Sequence, residues 1–168
     1  SLGARLVRDE AKGGYRIDHI FRADPEYPEI QSPLGKPMSA IREGDVIATV
    51  NGVPALSVPD LSLLLRNTAG QQVLLEVKPA AGGAARKEIV IPVTRGAESD
   101  LRYGEWEYTR RLEVEKAGKG EIGYVHLRAM GGDNYTEWVK NFYPVFDRKG
   151  LIIDVRHNNG GNIDSWIL

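Results

Sequence analysis

The sequence predicts a mixed α+β chain. A β-rich module over residues 1–96 precedes the opening βαβ part of an α/β domain over residues 121–168, with a joining helix over 97–120. Three observations carry this. The first half holds short alternating runs bounded by Gly, Pro and Asn-Gly. A charged, amphipathic stretch spans 98–116. An apolar run, Leu151-Ile152-Ile153, then leads into the turn Asn158-Asn159-Gly160-Gly161-Asn162.

Taken in order, residues 2–7 read as a strand, Lys12-Gly13-Gly14 as a turn, and residues 15–20 as a half-buried strand. Residues 23–40 hold Pro25, Pro28, Pro33 and Pro37 and read as a long loop. Val46-Ile47-Ala48-Thr49-Val50 is a strand closed by Asn51-Gly52, a strong hairpin signal. Val58, Leu61, Leu64 and Leu65 then repeat at a helical period, with Pro59 and Asp60 suited to a first turn, so a helix is expected over 58–67. Residues 73–77 and 89–93 read as two more strands. Beyond the charged helix, 122–127 is a strand, 135–146 a helix with Trp138, Phe142 and Val145, and 151–155 a strand apolar apart from Asp154. That order implies a parallel sheet buried on both faces.

Composition excludes several function classes. Ile, Leu, Val and Phe make up about 26% of the 168 residues, above the roughly 20% below which chains tend to be disordered. The 22 Lys and Arg balance 23 Asp and Glu, which argues against a globally basic nucleic-acid binder or a polybasic membrane-surface protein. No apolar run is long enough to span a membrane. With no cysteine there is no thiol nucleophile, disulfide or thiolate metal site. The histidines show no metal-ligand spacing, so no metal and no cofactor is expected. His19 and His126 read as satisfied strand histidines, and Arg110-Arg111 as a solvated helix face. Ser1 at one end and an unfinished helix at the other give the expectation of a fragment.

The glycine-rich turn is the most informative feature. Glycine permits positive φ, and its missing Cβ lets a ligand approach the main chain. A phosphate cradle, an oxyanion hole and a plain strand-to-helix turn are all compatible with it. The phosphate reading lacks both glycine-rich phosphate motifs. Ser165, in the helix after the turn, has no base beside it in the sequence.

Gly150-Leu151-Ile152-Ile153-Asp154-Val155-Arg156-His157-Asn158-Asn159-Gly160-Gly161 resembles the first core motif of the tricorn-type and C-terminal-processing serine peptidases. That motif is an apolar strand, then Asp-x-Arg, an Asn, and small residues ending in Gly-Gly. Gly123-Tyr124-Val125-His126-Leu127 with Met130-Gly131 is similar to the preceding strand, and 103–111, with Trp106, to the tricorn helix entering the core. Residues 1–96 resemble the PDZ domain of these peptidases. Its markers are Arg42-Glu43-Gly44-Asp45-Val46-Ile47 and Asn51-Gly52, with Leu2-Gly3-Ala4 as its peptide-carboxylate loop.

The resemblance implies a β-rich PDZ-like domain (1–96), a linking helix (97–120) and the truncated N-terminal part of a serine peptidase core (121–168). It implies an oxyanion donor at Gly161, with Gly160 turning the chain, and a peptide groove formed by Leu2, Gly3, Ala4, Leu61 and Leu65. Gly161 is expected to open the helix. The family's nucleophilic serine lies beyond this stretch and its histidine before the PDZ domain, so the isolated chain is expected to be inactive. Peptide or unfolded-protein substrates, a homo-oligomeric parent and a cytoplasmic setting are implied by the same resemblance, and nucleic-acid or membrane partners are not. Asn159 departs from the family pattern, where Gly or Pro is usual; Asn tolerates left-handed turns. A non-catalytic peptide-binding or scaffold module remains the alternative. Leu61 and Leu65 are equally explained as core.

Overall fold

In the computed structural model, which describes residues 1–167, the chain divides into one unit over Ser1–Glu105 and a second from Trp106 onward. The first unit is built on an antiparallel sheet. Its strands are β1 (Ala4–Asp9), β2 (Gly14–Ile20), β3 (Val46–Val50), β4 (Val53–Pro54), β5 (Val73–Lys78) and β6 (Arg86–Val90). They run in the order β1-β2-β3-β5-β6, with β4 paired to β3. Asn51 and Gly52 take φ of +50° and +81° between β3 and β4, the left-handed pair that a tight hairpin requires.

Alternation decides what these strands bury. Val73, Leu75 and Val77 point inward from β5 and join Ile17, Ile47 and Val50 in one core with Leu2, Leu34, Ile41 and Leu61. Burying such a side chain fully stabilises by roughly 1.5–3 kcal/mol. The helix expected over 58–67 does not form. The segment instead holds one short 3-10 turn, Leu61–Leu63, preceded by another at Ala55–Ser57. Leu64 and Leu65 donate to the carbonyls three residues back, those of Leu61 and Ser62. Asp60 takes the Ser62 N–H with its side chain at 2.7 Å, and Asn67 turns left-handed at φ +59°, so the winding stays short.

Asp45 organises the polar side of this unit. Its buried carboxylate accepts the N–H of Ala80 at 2.8 Å and of Arg42 at 3.0 Å, and pairs with the Arg86 guanidinium. One side chain thereby ties the turn before β3 to the residues that follow β5 and to β6. His19 is satisfied as expected: its two ring nitrogens meet Glu43 and Glu105, each at 2.7 Å.

Helix α1 (Arg95–Ala117) starts earlier than its apolar period suggested. Thr94 explains this, because its hydroxyl accepts the Ala97 N–H at 3.1 Å and its carbonyl the Glu98 N–H.

In the second unit β7 (Ile122–His126) and β8 (Gly150–Asp154) pair in parallel, joined by α2 (Gly132–Phe142). Trp138 is buried beside Val125, Leu127 and Val145 and stacks on Phe142 at 4.7 Å. A short α3 (Asp164–Ile167) follows the turn. The expectation of burial on both faces fails for β8. Ile152 and Ile153 are 45% and 47% exposed, while Asp154, the polar exception in the sequence, is buried. The described sheet has two strands only, which leaves those side chains about half exposed. Asp154 can be buried because Tyr124 and Arg156 satisfy its carboxylate.

Truncating Asp45 to Ala leaves the Ala80 and Arg42 N–H groups without their acceptor and takes a buried partner from Arg86, which keeps Glu88 and the Ala40 carbonyl. Asp45→Ala should destabilise the first unit by about 3 kcal/mol, read as faster amide exchange throughout β3 and β5 at neutral pH.

Candidate functional site

The strand-end loop is positioned by Asp154. Its carboxylate accepts the Tyr124 hydroxyl at 2.8 Å, the Arg156 N–H at 3.0 Å and the Arg156 guanidinium, whose Nε lies 2.9 and 3.0 Å from the two oxygens. The Arg156 bonds above all hold the Asp154 carboxyl well below the usual carboxylate range, against the opposing effect of burial. Burial, then the bond to Asp154, pushes the Tyr124 hydroxyl up. The Asp154 carbonyl accepts the Leu127 N–H at 3.0 Å and His126 Nδ1 at 2.7 Å. A carbonyl only accepts, so His126 carries its proton on Nδ1. Trp106 packs edge-on to His126 and His157 at 5.1 and 5.3 Å, with the Arg156 guanidinium 5.0 Å over its ring.

Beyond Asp154 the loop is stitched to residues 127–130. Asn158 Nδ2 donates to the Leu127 carbonyl at 2.9 Å, and the Asn159 N–H to that of Arg128 at 3.0 Å. The Met130 N–H donates to the Gly160 carbonyl at 2.7 Å, and the Met130 carbonyl accepts from Asn162 and Ile163 at 2.8 and 3.2 Å. Gly160 N–H is taken by the Asn158 side chain at 2.6 Å. The N–H groups of 158, 159, 160, 162 and 163 therefore all donate. Gly161 is exposed, and among the described residues its N–H meets no acceptor.

Gly161 is also the residue that no other can replace. Its φ is +142°, and a Cβ there would lie 2.1 Å from the Met130 carbonyl oxygen. Gly160 has φ +80° with open space around it, so its role is conformational alone. Two expectations are corrected. Gly161 does not open the helix: α3 begins at Asp164, after the bridge between Met130 and Gly161. The left-handed non-glycine residue is His157 (φ +60°), not Asn159, whose N–H is committed to Arg128. Ser165 lies exposed on α3.

The first unit carries a groove of about 680 Å³ between β1 and residues 61–67. β1 is the free edge of its sheet. Ile17 exchanges main-chain bonds with Asp45 and Gly44, and the Ile20 N–H reaches Glu43. Their β1 partners Leu6 and Ala4 therefore turn their own amides outward, along the groove. Leu61 and Leu65 line the groove and are buried, as is Leu2. Gly3 has φ +66°, with no room for a Cβ against Ser32. Its N–H donates to Ser1 Oγ at 3.1 Å and its carbonyl accepts from Phe21 and Ser32. Arg8 and the Tyr15 hydroxyl, which the sequence did not single out, grip the carbonyls of Leu56, Val58 and Pro59 and so hold the second wall in place. Neither residue type signals this. The Met130 contact was equally silent, because it is made by main chain.

Comparison with known proteins follows this division. The family model described as Tricorn protease PDZ domain matches residues 1–95, and that of Peptidase family S41 matches 121–168. The chain is similar, at 35% identity over 99% of its length, to Tricorn protease homolog 1 of Streptomyces coelicolor. It is 31% identical, over 99% of its length, to the Tricorn protease homolog of Saccharolobus solfataricus. It spans about 15% of the length of each. The crystal structure of the tricorn protease superposes on 99% of this chain and 16% of its own, with a TM-score of 0.81 at 23% identity.

A depressed carboxyl stabilises the fold above its unfolded-state pKa, and that stability is lost as pH falls towards the folded value. Asp154→Asn should lower the stability of the second unit by roughly 2–3 kcal/mol at pH 7, the modest figure reflecting the exposed guanidinium. It should also flatten the loss seen below about pH 4. Thermal melts of both proteins from pH 7 down to 2, followed by tryptophan fluorescence, check this; all three tryptophans lie in the second unit.

Proposed function

The chain belongs to the tricorn protease family, and on that premise we propose that it is the PDZ module and the opening of the catalytic core of a serine peptidase. Residues 1–96 are the peptide-binding module, 97–120 the linking helix and 121–168 the first part of the core. The unsatisfied Gly161 N–H carries this reading. Among the described residues it is the one N–H from Asn158 to Ile163 without an acceptor, exposed beyond the end of β8, where active groups of α/β folds gather.

Peptide hydrolysis gives the donor its task. In the parent, a serine hydroxyl outside this chain attacks the scissile carbonyl while a histidine takes its proton. The carbonyl oxygen becomes an oxyanion, and the Gly161 N–H donates to it. Gly160 sets the turn, and Asp154, through Arg156 and Tyr124, keeps the loop from relaxing. The complete site has further donors from elsewhere in the parent. The isolated chain then holds an oxyanion donor without nucleophile or base and hydrolyses nothing.

The groove supports the other half of the reading. An extended peptide can add as a strand to β1, bonded by the outward amides of Ala4 and Leu6, over a floor of Leu61 and Leu65. Its carboxyl end lies towards Leu2, Gly3 and Ala4. Peptide or unfolded-protein substrates and a homo-oligomeric parent belong to this proposal.

The test deletes one hydrogen. Glycolic acid at position 161 of the full-length parent replaces the amide N–H by an ester oxygen without adding a Cβ. This should lower kcat by on the order of 100–1,000-fold, with a modest drop in thermal midpoint because the Gly160 carbonyl that accepts the Met130 N–H becomes a weaker ester acceptor. The same ester at position 162 removes a bond to Met130 and should lower the midpoint more than kcat. Near-normal kcat in a folded position-161 ester would overturn the assignment.

A further inference from the structure

The groove beside β1 is rich in cationic side chains. Its lining holds Arg5, Arg66, Arg95 and Arg102 against Asp60 and Glu98. Most of these charges are committed. Arg5 pairs with Asp18 at 2.6 Å, Arg102 pairs with Glu98, and Asp60 accepts the Ser62 N–H. The Asp60 carboxyl is held below its ordinary value by that cap, so it stays anionic and occupied.

Two guanidinium groups are left over. Among the described residues, neither Arg66 nor Arg95 forms an ion pair or hydrogen bond through its side chain, and both are exposed on the groove wall. The Arg95 charge acts on the nearby Asp60 carboxylate without bonding to it, and Arg66 has no such counterpart among the described residues. Arg66 precedes the left-handed Asn67. Arg95 is the first residue of α1, where a cation faces the positive end of the helix. Two arginines lining one groove suit carboxylates, which the planar guanidinium fork binds in bidentate fashion.

The amides do not supply that recognition alone. Gly3 N–H is engaged by Ser1 Oγ, which leaves Ala4 as the outward donor at this end of β1. We propose that the groove selects peptides carrying an acidic residue next to a free C-terminus, with Arg66 and Arg95 binding the two carboxylates while the peptide main chain pairs with β1. This rests on the groove being a peptide site, and it adds the ligand's chemistry.

The experiment uses the 168-residue chain with its N-terminus acetylated, so that the α-ammonium at Ser1, which also lines the groove, adds no charge. Three fluorescent hexapeptides are titrated by anisotropy: one with Glu in the penultimate position and a free carboxylate, its Gln counterpart, and its C-terminal amide. The acidic peptide should bind about tenfold more tightly than either of the others, the usual effect of a lost charge-assisted bond. In the double variant Arg66→Gln, Arg95→Gln, the three should bind equally, with a thermal midpoint unchanged because both side chains are exposed and unpaired. The acidic preference should also shrink between 50 mM and 500 mM salt. Equal binding of all three peptides by the unaltered chain, or a preference that survives in the double variant, overturns the charge assignment and leaves the peptide groove standing. No binding by any peptide overturns both.

Discussion

The main-chain approach of Gly161 to Met130 is the contact on which the strand-end loop depends. A Cβ at 161 would overlap the Met130 carbonyl. The Met130 N–H and C=O together hold Gly160, Asn162 and Ile163. This grip leaves the intervening amide without an inward direction. A free donor in a tightly bonded loop is what electrostatic preorganisation requires: it needs no rearrangement when charge develops in front of it. Asp154 then acts at one remove. Its bonds to Tyr124 and Arg156 fix the start of the loop, and Trp106 packs over Arg156 and His157.

The first unit solves a different problem with similar means. An edge strand is a liability unless it is covered or used. Here β1 keeps its outward amides beside a groove whose far wall is held by Arg8 and Tyr15. The wall segment is wound as 3-10 turns, with Leu61 and Leu65 turned into the core. The groove therefore has a fixed apolar floor beneath a charged rim.

How much of this could be read beforehand depends on the kind of signal. Strands with strict alternation were legible, as was the Asn51-Gly52 hairpin, because side-chain period and left-handed φ are local properties. The helix over 58–67 was misread, since leucine spacing alone does not separate 3-10 from α winding. In β8 the isoleucines are half exposed beside the one described partner strand, and Asp154 is buried by partners thirty residues earlier in Tyr124 and two later in Arg156. Gly161 was expected to open a helix, and that helix starts at Asp164. Its real constraint is a carbonyl on another strand end. Nothing in the residue type of Met130 announces that, because any residue has the same carbonyl.

The central claim is that the Gly161 amide is an unsatisfied, solvent-facing donor between bonded neighbours. Amide hydrogen exchange of the 15N-labelled chain, resolved by NMR at neutral pH, measures this directly. Gly161 should exchange at close to its unstructured rate, while Asn162 and Ile163, bonded to Met130, should be slowed at least tenfold. Protection of Gly161 equal to that of its two successors would show the donor to be occupied and contradict the account.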